Sequence, residues 1–175
     1  YIRDAKIDTL YEGTTAIQGL DFFFRKMLRD KFTAVQHLAE EITETVRSDD
    51  DDFKDERKLL GKALTDVQAM ITTLGFWVQS AATGSPEQMY KAGLNTTRLL
   101  MCSGDLVLGW LLLRQAEVAS AALAAGGKER DLAFYTGKIA TAKWFARNRL
   151  PLITSERYVC EHTDDDIMTM PVEAF

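Results

Sequence analysis

"LLMCSGDLVLGWLLL", Leu99 to Leu113, is the most apolar window of this 175-residue chain, and its reading decides the fold. It is either a membrane span or a helix in the core of a soluble bundle. A spanning helix needs about 20 predominantly apolar residues. This window is shorter, carries Asp105 inside it, and is bracketed by Arg98 and Arg114. We read it as a core helix buried on most sides, with no membrane span. Asp105 then requires a cation or hydrogen-bond donors, because an unpaired buried charge is costly.

Working outward, Gly126-Gly127 ends this helix near Ala125, since glycine takes the left-handed C′ position without penalty. Upstream, "TGSP", Thr83 to Pro86, separates it from its neighbour. Ser85 can cap it, with Pro86 at the first helical position. The preceding helix runs from Phe53 to about Thr83 on the stripe Leu60, Ala63, Leu64, Val67, Ile71, Leu74, Val78 and Ala81. Before that, Ile17, Leu20, Phe24, Met27, Leu28, Val35, Leu38, Ile42 and Val46 predict one unbroken helix from Thr15 to Arg47. It would be roughly 50 Å long at 1.5 Å rise per residue. A fourth helix spans Glu129 to Arg149, closed by Pro151. Leu152 to Phe175 reads as a short helix and an extended tail, and Ile7 to Tyr11 looks extended. Short connections make neighbouring helices antiparallel. The expected fold is therefore all-α: an up-and-down four-helix bundle with a short N-terminal loop segment and an irregular C-terminal tail.

The composition, 46% hydrophobic and 27% charged, suits one globular domain with a real core. A net charge of −5 argues against nucleic acid as a partner. Two cysteines, Cys102 and Cys160, cannot make a disulfide framework and read as reduced thiols in a cytoplasmic protein. The N-terminus carries no initiator Met and no signal-peptide pattern, so the chain is expected to be the C-terminal piece of a longer one.

The chemistry-bearing candidates are few. Asp49 to Asp52 lack the glycine and distal glutamate of a calcium loop and read as a solvated helix start. "TDDD" near Asp164 reads the same way. His37 and His162 have no partner at ligand spacing, so no metal site is expected. Trp77, Trp110 and Trp144 fit helix faces as core residues. Phe22, Phe23 and Phe24 are consecutive and cannot all face one core.

One stretch resists a bland reading. In "RDAKIDTLYEGTTAIQ", Arg3 to Gln18, a threonine can cap the helix that starts there, but a cap does not account for Tyr11-Glu12-Gly13. The stretch resembles the signature of the flavin-dependent acyl-CoA dehydrogenases: Arg-Asp-Ala-Lys/Arg-Ile, a variable trio, Tyr-Glu-Gly-Thr, then Ile-Gln. The match falls at Arg3, Asp4, Ala5, Lys6, Ile7, Tyr11, Glu12, Gly13, Thr14, Ile17 and Gln18. The remainder is similar in layout to the added C-terminal helical domain of the long bacterial members, down to the "MPVEAF" tail.

The resemblance implies that residues 1–18 end a catalytic region and that residues 15–175 form the helical domain. It implies FAD as cofactor, acyl-CoA as substrate, electron-transfer flavoprotein as electron acceptor, the remainder of the catalytic chain as partner, and a homodimer. Glu12 becomes the catalytic base, with Tyr11 and Gly13 against the substrate. Thr14, Thr15 and Ala16 lie along the FAD, Ala16 through backbone alone. A carboxylate in a dry site suits removal of an α-proton, and a glycine beside it lets a thioester approach closely. Two alternatives stand beside this: a non-enzymatic helical interaction module, or a dehydrogenase for a sulfur-containing acyl-CoA such as 3-methylthiopropanoyl-CoA.

Overall fold

The structure is a computed structural model that describes residues 2–9, 14–48, 51–126 and 128–174. It is all-helical among the described residues. Two short turns of helix open the chain: α1 (Ile2–Ala5) and a 3₁₀ turn (Lys6–Thr9). Then come α2 (Thr15–Leu20), which continues as a π-helix (Asp21–Leu28), and α3 (Thr33–Val46). The two long helices are α4 (Lys54–Ala82) and α5 (Gln88–Ala124). α6 (Glu129–Asn148), α7 (Leu152–Glu161) and α8 (Asp166–Thr169) complete it.

α4 and α5 form the central pair, with α3 on α4, α6 on α5 and α7 across α4. Pairings from end to end make neighbours antiparallel. Arg57 near the start of α4 reaches Glu117 near the end of α5 at 2.7 Å. Lys138 of α6 donates to Gln115 of α5 at 2.8 Å, while Arg149, just past α6, meets Asp105 farther up α5. The up-and-down bundle expected from the sequence is present. Its core runs through Ile42, Leu60, Met70, Leu74, Leu99, Leu113 and Ile153.

The decisive window lies within α5. Leu99, Cys102, Leu106, Trp110 and Leu113 are buried, whereas Met101, Leu108 and Leu111 are exposed. The helix is thus covered on one side, less completely than its composition suggests. It is long and apolar enough to cross a membrane by length and composition alone. Its charges are nevertheless engaged inside the bundle. Arg149 donates to Asp105 at 2.8 Å, Arg98 pairs with Glu156, and Arg114 lies over the Trp110 ring at 5.2 Å. Asp105 therefore has the cation its position demands. Asp105→Ala should lower stability by about 1 kcal/mol in urea unfolding, because the pair is only partly shielded from water. An unchanged midpoint would show that the pair contributes nothing.

Several expectations need correction. The helix from Thr15 to Arg47 is not continuous. It widens to a π-helix and then breaks at Lys31 (φ 54°) and Phe32 (φ 62°), both left-handed. Asp30 organises the break: its Oδ2 accepts from Ala34 N at 2.8 Å, and its carbonyl accepts from Thr33 Oγ1. Lys6 to Thr9, read as extended from Ile7 onward, form a 3₁₀ turn. α5 starts at Gln88, not at Pro86, and Ser85 contributes its carbonyl rather than a hydroxyl cap, accepting from Gln88 N at 3.0 Å. Trp144 is 59% exposed, unlike Trp77 and Trp110. The phenylalanine trio divides as its spacing requires: Phe23 is buried, and Phe22 and Phe24 pack partly covered beside it.

Candidate active-site segment

Tyr11, Glu12 and Gly13 lie outside the described residues. The described residues resume at Thr14. Thr14 caps α2 in an extended conformation (φ −83°, ψ 147°), its Oγ1 accepting from Ile17 N at 3.4 Å. Thr15 and Ala16, in the first turn of α2, are exposed. Their backbone N–H groups belong to the helix start, where no carbonyl of the same helix can accept from them. Thr15 and Ala16 thus present exposed backbone donors at the start of α2, and Ala16 has no polar side-chain atom.

α2 itself is held by a close helix crossing. A Cβ at Gly19 would come within 2.8 Å of Thr97 N and 2.9 Å of the Thr96 carbonyl carbon. Those are backbone atoms of α5, which no side-chain rotation can move away. Glycine at position 19 is therefore a packing requirement, and it seats the end of α2 on α5. Gly19→Val should separate the two helices, at a cost of about 1–3 kcal/mol in thermal or urea unfolding. Gly104→Ala serves as control, since a Cβ there meets nothing within 4 Å. Equal stability of the two variants would refute the crossing.

Beneath that seat, α5 is tied to the C-terminal part of the chain. Buried Asn95 donates to Thr163 Oγ1 at 2.9 Å, Arg98 Nε donates to Asn95 Oδ1, and Arg98 pairs with Glu156 of α7. α7 is in turn fastened to α4 by Asp66, whose side chain is fully buried. Asp66 accepts from Lys62, from Thr154 Oγ1 at 2.6 Å and from Arg157 at 3.1 Å. Burial pushes this carboxyl up, but those three donors and the Lys62 charge outweigh it and hold the group below the usual carboxylate range. Hydrogen bonds to Glu161 and Asp66 keep Arg157 firmly cationic despite its partial burial. Sequence reasoning passed over both Gly19 and Asp66. The readable signals were a glycine in mid-stripe and an Asp between the apolar positions Leu64 and Val67.

The remaining candidates fall elsewhere. Cys102 and Cys160 are free and buried, their thiols pushed up by burial to about 11 and about 12. His162 stacks on Tyr158 at 4.1 Å, and His37 is exposed. Among the described residues, no group of three His, Cys, Asp or Glu side chains could hold a metal. Ser120 Oγ donates to Asp52 at 2.8 Å, linking that acidic residue to the end of α5.

A helical bundle led by this signature defines a C-terminal helical domain rather than a complete enzyme. Residues 38–171 match the family described as acetyl-CoA dehydrogenase C-terminal like, and the chain belongs to that family. Over 177 residues it is 54% identical to a broad-specificity linear acyl-CoA dehydrogenase, FadE5, of Mycobacterium tuberculosis, covering 100% of this chain and 29% of that protein. It is 34% identical to a 3-methylmercaptopropionyl-CoA dehydrogenase of Ruegeria pomeroyi, covering 97% of this chain and 28% of the relative. A butyryl-CoA dehydrogenase of Syntrophomonas wolfei is 31% identical, with 99% and 28% covered. The chain thus spans less than a third of the length of these relatives.

Proposed function

We propose that this chain is the C-terminal part of a flavin-dependent acyl-CoA dehydrogenase of fatty acid β-oxidation, forming a trans-2-enoyl-CoA from an acyl-CoA. The observation that supports the reading is the signature sequence from Arg3 to Gln18, whose described end, Thr14, caps a helix with Gly19 pressed against the α5 backbone. An anchored helix next to the signature suits a catalytic group, because small misplacement of such a group is costly in rate.

In this reading Glu12 takes the α-proton, its basicity raised by exclusion of water around Tyr11 and the acyl chain. The Glu12 backbone N–H donates to the thioester oxygen as negative charge develops there. Gly13 leaves room for the thioester to approach. Thr14, Thr15 and Ala16 contact the cofactor. FAD, when bound, supplies the acceptor for the β-hydride. The electrons then pass to electron-transfer flavoprotein.

Residues 1–18 close the catalytic region and residues 15–175 serve as its buttress, in a cytoplasmic homodimer. The three relatives support a CoA-thioester substrate. The Ruegeria relative keeps a sulfur-containing acyl group as the second reading. The test is cofactor content. The longer native polypeptide should purify yellow, with about one flavin per chain. A colourless protein that neither binds added FAD nor oxidises any acyl-CoA would leave only a helical interaction module.

A further inference from the structure

Beyond α7 the chain leaves the bundle as an uncovered arm. Every residue from Asp166 to Ala174 is exposed, among them Ile167 at 70% and Val172 at 81%, with Met168 and Met170 between them. Single exposed apolar side chains are ordinary on a folded protein. A segment suited to water alone is instead poor in large apolar residues. This arm also has local structure of its own. Thr169 N and Oγ1 both donate to the Asp165 carbonyl, and Ala174 N donates to the Pro171 carbonyl.

The base of the arm is fixed. Thr163 Oγ1 accepts from buried Asn95 at 2.9 Å. The next two residues of α5, Thr96 and Thr97, are those whose backbone lies against Gly19 of α2. The arm therefore leaves the bundle where α2 crosses α5. Further apolar side chains stand exposed around that crossing: Ile17 and Leu20 of α2, and Leu94 next to Asn95.

The occupant follows from what is tethered there. This chain is the C-terminal portion of proteins more than three times its length. Only residues 1–13 separate the cap of α2 from the polypeptide that precedes Tyr1. A surface tethered through so short a link meets the arm at a high effective concentration, of millimolar order. A second copy has no such tether. Asp164, Asp165, Asp166 and Glu173 flank the apolar side chains of the arm, so the complementary surface is apolar with a cationic rim. We propose that Asp166–Ala174 is a strap that docks on the polypeptide preceding Tyr1, on an apolar surface rimmed by lysine or arginine. The proposal rests on this chain being part of a longer polypeptide, and not on Glu12 or flavin.

Photo-cross-linking tests it. Met170 is replaced by photoreactive benzoylphenylalanine in the full-length polypeptide, which is irradiated, digested and read by mass spectrometry. The expected product joins position 170 to a peptide preceding Tyr1, in a band with the mass of one chain. Adding Ile167→Asp and Val172→Asp together should lower its yield by about tenfold or more, because burying unpaired charge is costly. The bundle should still unfold cooperatively, since both positions are exposed within it. Cross-links confined to residues 1–175, cross-links joining two chains, no cross-link, or an undiminished yield in the double variant would each overturn the proposal. A colourless protein would fail the functional reading and still report on the arm.

Discussion

Asp66→Ala is expected to be strongly destabilising, by about 2–3 kcal/mol, because hydrogen bonds to a buried carboxylate are lost while Lys62 and Arg157 keep access to water. Asp66 is fully buried, and it accepts from α4 through Lys62 and from α7 through Thr154 and Arg157. Its removal takes that acceptor from Thr154 and Arg157 and releases α7 from α4. Asp66→Asn should cost less, because one oxygen still accepts while the charge is lost. The pH dependence has a definite sign. The folded carboxyl is held below the ordinary aspartate value of 3.8, so its contribution is fully present above that pH. The contribution is lost as pH falls through the lower folded value. Urea midpoints of wild type should therefore drop below about pH 4 more steeply than those of Asp66→Asn. Equal acid sensitivity in the two proteins would show that the carboxylate does not fasten α7 to α4.

Much of this fold was legible because α4, α5 and α6 have clear helical stripes and clear stops. Gly126 takes the left-handed φ of 77° that its place after α5 foretold. The break at residues 29–32 was not legible. Neither Lys31 nor Phe32 is a residue that signals a left-handed backbone, and the apolar stripe passes through the break without a skip. Asp30 was the available clue, since its carboxylate caps α3. The partial exposure of α5 was hidden for another reason: a uniformly apolar window has no polar face from which to read its orientation. Trp144 misled in the opposite way. Helical spacing gives the direction of a side chain but not whether another element lies there.

The candidate site was legible only through its resemblance. Composition and spacing favoured a capping threonine, and Thr14 does cap α2. That local role explains Thr14 but leaves Tyr11-Glu12-Gly13 without one, and the anchoring glycine became evident only when the crossing with α5 was seen. The structural and chemical readings are therefore complementary. The bundle accounts for how Thr14 to Leu20 are held, and the proposed role of the Glu12 carboxylate rests on the signature.

Glu12→Gln has the largest expected effect on activity. Glutamine keeps the shape of the side chain but cannot take a proton, and general-base catalysis is typically worth about 10²–10⁴ in rate. The variant should fold, retain flavin and bind acyl-CoA, because none of those requires a base. Rapid mixing of the flavin-loaded full-length enzyme with acyl-CoA, with flavin absorbance as the readout, isolates the step in which the α-proton leaves. Prompt bleaching is expected in wild type, and bleaching slowed by at least about a hundredfold in Glu12→Gln, with acyl-CoA affinity retained. Bleaching of Glu12→Gln at the wild-type rate would contradict the assignment and remove Glu12 from the chemistry.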